Sequence, residues 1–157
     1  MDAQRIGLLG WSHGGGSVLA TIAAAPKGNM GYAAAVAFYP DCTSKSKALQ
    51  KFRPYAPLLL LIGEADDWTP AAPCKVLAAA VAARGEPMQI VTYPDTFHNF
   101  DSPGITGKRV RTEVPNGVHP GRGVTTAPNQ EAREDAKKRV IQFFADQLPT
   151  GARGHLQ

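Results

Sequence analysis

The chain has 157 residues, 43% hydrophobic and 19% charged, which is enough for a buried core and unlike a disordered, collagenous or coiled-coil sequence. No apolar run approaches the roughly 18 residues of a membrane helix, and two cysteines, Cys42 and Cys74, are too few for a disulfide scaffold or a zinc site. The net charge of +4 is local: residues 108–139 hold eight Lys and Arg against four Asp and Glu, and the rest of the chain balances. Both signs mix there along one predicted helix, which points to a solvated helix face rather than a nucleic-acid surface.

In chain order, Arg5–Gly10 is a short apolar run read as a strand buried on both faces. The residues around it, Met1–Leu9, lack the basic leader, long apolar core and small-residue cleavage site of a signal peptide. As written, the chain is expected in the cytoplasm. An Ala-rich helix is expected over 13–25, stopped by Pro26. Ala33–Tyr39 reads as a second buried strand, 41–57 as a loop with a short helical piece, and Leu58–Ile62 as the third strand. Thr69-Pro70 marks a helix start, with Thr as the cap and Pro in the first helical position, and Gly85 ends that helix after Arg84. Met88–Tyr93 is the fourth strand, and 101–128 a long Gly/Pro-rich basic loop. The last helix begins near Asn129 with its acids first and its bases later, matching the helix dipole. Glu134–Lys138 and Asp135–Arg139 are expected pairs, and Ala132, Ala136, Val140, Phe143, Phe144 and Leu148 the buried stripe. Strands alternating with helices imply a parallel sheet with helices against it.

Three segments carry chemistry, and each follows a predicted strand. Gly10-Trp11-Ser12-His13-Gly14 fits G-x-S-x-G at a strand-to-helix junction. There the sharp turn lifts a serine hydroxyl above the sheet, and residues two before and two after it must lack bulk. The backbone N–H of His13 would be one oxyanion donor. Asp66 and Asp67 follow the third strand, where one acid could orient a histidine. His98 follows the fourth strand and could reach the same edge. His119 and His155 lie in the loop and the tail and are read as solvated. No metal-ligand spacing and no phosphate-binding glycine pattern occurs, so neither metal nor cofactor is expected. A Cys42–Cys74 disulfide, bringing together two strand ends, and a pair of reduced buried cysteines are both open. The disulfide would imply an exported parent protein.

Gly7–Gly15, Leu61–Pro70 and Tyr93–Asp101, with Thr125-Thr126-Ala127 and the terminal helix, resemble the dienelactone hydrolase family, a branch of the α/β-hydrolase fold. The likeness covers nearly the whole chain. It implies a partial α/β-hydrolase fold with about four parallel strands, residues 1–149 being the C-terminal portion of one such domain and 150–157 a tail. It also implies hydrolysis of a small carboxylic ester or lactone through Ser12, an acid and His98, with no metal or cofactor; from charge and hydropathy alone, no nucleic-acid or membrane partner is expected. The family's acid follows a Gly by three residues and precedes a helix-starting Pro by four, which selects Asp66 over Asp67. Classical members use Cys as nucleophile where Ser12 stands, so a general serine esterase is implied. A prolyl-oligopeptidase-like serine peptidase shares the triad order, and an inactive fragment acting only in association is the other alternative. The family has further strands ahead of the elbow, which supply the second oxyanion donor. Without them, strand 5–10 would expose an edge open to a second copy of the chain.

Overall fold

Apolar runs too short for helices, separated by helical crossovers, pair side by side in parallel. In the computed structural model, which describes residues 5–23 and 31–148, four strands do so in chain order. They are β1 (Gly7–Trp11), β2 (Ala34–Phe38), β3 (Leu58–Gly63) and β4 (Met88–Tyr93). In register, Leu9 faces Val36, Val36 faces Leu59, and Leu59 faces Gln89. β2 and β3 are buried along their whole length, as their unbroken Ala, Val and Leu runs require. Each fully buried Leu or Ile contributes about 1.5–3 kcal/mol.

The reading of the first strand as buried on both faces is corrected. β1 lies at one edge of the sheet, and Leu9 and Trp11 are 37% and 46% exposed. Alternation puts Gly7, Leu9 and Trp11 on one face. The ring of Phe144 approaches that face at Gly7, which stays exposed, closely enough that a Cβ there would collide with it.

The helices are α1 (His13–Ile22), α2 (Thr43–Ser46), α3 (Ala71–Ala82) and α4 (Gln130–Gln147), with a 3₁₀ turn at Leu49–Lys51. α1 buries Val18, Leu19 and Ile22 against β1 and β2, and α3 buries Cys74, Leu77 and Val81 beside β4. The Asn129 side chain accepts the Ala132 N–H and so caps α4, whose Ala132, Ala136 and Phe143 are buried. Val140, Phe144 and Leu148 are only half-buried. Asp135 pairs with Arg139 as expected, but Glu134 meets Lys137 rather than Lys138. Both lysines neighbour Glu134 on a helix surface, one at i+3 and one at i+4.

Three further expectations are corrected. Segment 101–128 is not a bare loop, because β5 (Arg109–Arg111) and β6 (Val124–Thr126) pair antiparallel within it. Three-residue strands are too short to show a period of two, and the positive φ of Gly121 and Gly123 shapes the turn into β6. Thr69 does not cap α3: that helix starts at Ala71 with Pro70 in the cap position and no side-chain cap bond. α3 also ends at Ala82, short of the expected Arg84, and Gly85 follows at φ 68°. A disulfide joins Cys42, just ahead of α2, to Cys74 in α3. Among the described residues no helix is long and apolar enough to cross a membrane. The expected helix stop at Pro26, His155 and the tail 150–157 lie outside the described residues.

Candidate active site

The C-terminal ends of β1, β3 and β4 lie along one edge of the sheet, and each delivers a polar side chain there. Ser12 leaves β1 at φ 51° and ψ −116°, a conformation that L-residues rarely adopt. Its N–H donates to the Phe38 carbonyl of the neighbouring strand (2.9 Å), and its own carbonyl accepts from the Gly16 N–H (2.9 Å). The turn is tight because Gly10 lies against the backbone of Gly14, where a Cβ on Gly10 would collide with the Gly14 carbonyl oxygen. Gly14 itself has open space where a Cβ would point, so the need for small residues is only partly as expected. Gly15 is the second constrained position, 2.7 Å from the Phe38 carbonyl if given a Cβ.

Asp66 sits in the turn after β3, buried at 3% exposure. Its Oδ1 accepts from the backbone N–H groups of Trp68 (2.9 Å) and Thr69 (2.8 Å), which orients the carboxylate. Its Oδ2 faces His98 Nδ1 at 2.8 Å. On the other side of the ring, His98 Nε2 lies 2.8 Å from Ser12 Oγ. An ionised carboxylate only accepts. Nδ1 therefore carries the ring proton and donates to Asp66, leaving Nε2 to accept from the Ser12 hydroxyl. The turn holding Asp66 is locked to the turn holding His98: Glu64 N–H donates to Tyr93 O (2.9 Å), and Ala65 N–H to Thr96 O (3.1 Å). Gly63 makes this approach possible, since a Cβ there would collide with the Thr96 carbonyl.

His98 is fully buried between two rings, with Tyr39 at 4.5 Å and Trp68 at 4.7 Å between centroids. The Tyr39 hydroxyl donates to Asp101 (2.7 Å), as does the Trp11 indole N–H (2.8 Å). Burial, reinforced by the Asp101 carboxylate, pushes the Tyr39 phenol far above its ordinary pKa, so it stays a neutral donor. Arg111 of β5 lies over Trp68, and His98 forms a bridge to Thr126 of β6. A cleft of about 740 Å³ opens at Ser12, lined among others by Lys45 of α2, Trp68, Pro70, Asn116, Gly117 and Val118.

The structure thus brings together Ser12, Asp66 and His98. Asp67 is absent from that chain of hydrogen bonds. Its carboxylate instead accepts from the Thr125 N–H and the Thr125 hydroxyl, both at 2.7 Å, and its carbonyl from the Val118 N–H (2.8 Å). It therefore ties segment 109–126, including the cleft wall at 116–118, to the turn after β3. His13 opens α1, where backbone N–H groups have no intrahelical partner and the helix dipole favours negative charge. His119 is exposed, as expected. No cluster of three or more His, Cys, Asp or Glu side chains suited to a metal exists among the described residues. Sequence reasoning missed Tyr39, Trp68 and the contacts of Thr69 with Asp66 and His98. The only signal was their position, one after a strand or two to three after Asp66.

Among curated proteins, no sequence matches this chain. Among solved structures, a Klebsiella pneumoniae subsp. pneumoniae protein described as a dienelactone hydrolase is similar at 21% identity and TM-score 0.65, covering 92% of this chain and 53% of its own. A dienelactone hydrolase-like promiscuous phosphotriesterase from metagenomic libraries is similar at 15% identity and TM-score 0.67, with 95% and 55% covered. The acylaminoacyl peptidase of Pyrococcus horikoshii is similar at 16% identity and TM-score 0.63, with 98% and 26% covered. These likenesses show the α/β-hydrolase fold, and the chain spans about half the length of the first two. The family model of the dienelactone hydrolases matches residues 1–148, and the chain belongs to that family.

Proposed function

We propose that the chain carries the reacting half of a serine hydrolase that cleaves small carboxylic esters or lactones. The observation that carries this reading is the unbroken hydrogen-bonded line from Ser12 Oγ through both ring nitrogens of His98 to Asp66 Oδ2, ending in an open cleft. His98 Nε2 takes the Ser12 proton as Oγ bonds to the carbonyl carbon. The imidazolium so formed is held by Asp66. The carbonyl oxygen, now negative, is met by the His13 N–H at the start of α1. Collapse expels the alkoxide, which takes the proton from His98 and leaves an acyl-Ser12. Water, deprotonated by His98, adds to the acyl carbon; the bond from that carbon to Ser12 Oγ then breaks as His98 returns the proton to Oγ, and the acid leaves. No step calls on a metal or cofactor.

A fluorophosphonate probe is expected to label the folded chain, and Ser12→Ala to abolish labelling. Equal labelling of both proteins, or none of the folded parent, overturns the reading. Turnover of p-nitrophenyl acetate without turnover of a p-nitroanilide amide separates the esterase from the peptidase alternative.

Two subsidiary proposals concern where and with what the chain works. The Cys42–Cys74 disulfide supports an exported parent, since such bonds persist in oxidising compartments. The outer edge of β1, unpaired among the described residues and with Leu9 and Trp11 exposed beside it, supports pairing with a second copy. Light scattering across a wide concentration range is expected to give twice the chain mass or more; a constant monomer mass excludes the pairing.

A further inference from the structure

Thr69 lies three residues beyond Asp66, where its hydroxyl is free of the helix-capping task that its place before Pro70 suggests. The side chain turns inward instead. Thr69 is buried at 8% exposure, and its Oγ1 meets three groups at once: the Tyr39 carbonyl (3.0 Å), Asp66 Oδ2 (3.1 Å) and His98 Nδ1 (3.1 Å). A hydroxyl has one proton to give and two lone pairs to receive with. Tyr39 O and Asp66 Oδ2 can only accept. Nδ1, which carries the ring proton, can only donate. The Thr69 proton therefore goes to the carbonyl or to the carboxylate, while a lone pair faces the Nδ1–H in either case. The Nδ1 proton is shared between Asp66 Oδ2 and Thr69 Oγ1, and both acceptors lie in a site with little water to replace either one.

Resting on the proposed hydrolase reading, we infer that Thr69 is a positioning residue, a hydroxyl clamp that holds the Asp66–His98 pair to the end of β2 and receives part of the imidazolium charge. Position is one argument. Tyr39 O belongs to the residue that follows β2, whereas Asp66 follows β3 and His98 follows β4. Thr69 Oγ1 is thus one atom in hydrogen-bond reach of three successive strand ends. Charge is the other. When His98 takes the Ser12 proton, the Nδ1–H becomes more acidic, and an oxygen lone pair 3.1 Å away gains attraction that it lacks in the resting enzyme. An interaction that strengthens towards the transition state changes kcat more than KM.

The test uses the whole chain with p-nitrophenyl acetate and three variants. Thr69→Val keeps the shape and removes the hydroxyl, and is expected to lower kcat about 10- to 100-fold with KM nearly constant. Thr69→Ser restores the hydroxyl and is expected to recover most of that loss. In an Asp66→Asn background the further cost of Thr69→Val is expected to shrink, because the two groups act on the same ring. Proton NMR supplies a readout independent of turnover: the His98 Nδ1–H resonance is expected to be sharp in the parent and in Thr69→Ser, and broadened by exchange in Thr69→Val. If the probe fails to label the parent, the hydrolase reading falls while the NMR comparison still decides the clamp. Equal losses in Thr69→Val and Thr69→Ser, undiminished cost in the Asp66→Asn background, or an unchanged resonance in a folded Thr69→Val protein each overturns it.

Discussion

Replacing Asp66 with asparagine is expected to lower kcat on p-nitrophenyl acetate about 10⁴-fold, while Asp67→Asn leaves kcat within about threefold of the parent. The difference follows from which backbone groups hold each carboxylate. Trp68 and Thr69 point their N–H groups at one oxygen of Asp66. In the amide that position must stay a carbonyl oxygen, so the NH₂ is driven into the place of Oδ2. It then faces His98 Nδ1 with a donor and forces the ring proton onto Nε2, where it blocks acceptance from Ser12. Asp67→Asn meets no such conflict. Its amide oxygen still accepts the Thr125 N–H, and the loss is confined to the Thr125 hydroxyl. Because Asp67 moors the cleft wall at 116–118, any effect is expected in KM. Steady-state kinetics on the two variants checks this, and the reverse order of kcat values would assign the acid to Asp67.

The second large effect is on stability. The Cys42–Cys74 bond spans 32 positions of chain. Closing a loop of that size removes denatured-state entropy worth about 3–4 kcal/mol, against a typical total of about 5–15 kcal/mol. The Cys42→Ala, Cys74→Ala double variant is therefore expected to melt about 6–16 °C lower. Both sulfurs are buried, at 1% and 0% exposure, so the variant reads the effect more directly than added reductant. Calorimetry measures the shift. An unshifted midpoint would show that the bond adds no stability, and two free thiols by mass spectrometry of the unreduced parent that it does not form.

The sheet was legible because its strands are apolar runs of five or six residues with helices or turns between them, and the expected Ala33–Tyr39, Leu58–Ile62 and Met88–Tyr93 match β2, β3 and β4 to within one residue at each end. The three site residues were legible for a related reason: a parallel sheet collects its strand ends, so a Ser, an Asp and a His each just beyond a strand meet in space. What escaped were features that depend on a neighbour far away in sequence. The exposure of Leu9 and Trp11 depends on what lies over β1, which no local pattern records. β5 and β6 are held by each other and by Asp67 and His98, across a segment whose glycines and prolines read as loop. Thr69 has the local grammar of a helix cap, and only the approach of Tyr39 and His98 redirects its hydroxyl.

The backbone at this edge is held in conformations that cost stability. Ser12 at φ 51° and Tyr39 at φ 34° are L-residues held where glycine is at ease, and Asp95 (φ 50°) and Asn99 (φ 60°), residue types that tolerate this region better, flank the His98 turn. Each of the first two costs on the order of 1–3 kcal/mol. Glycine at position 12 would relieve that cost, so Ser12→Gly is expected to be the more stable protein, and under the proposed function an inactive one.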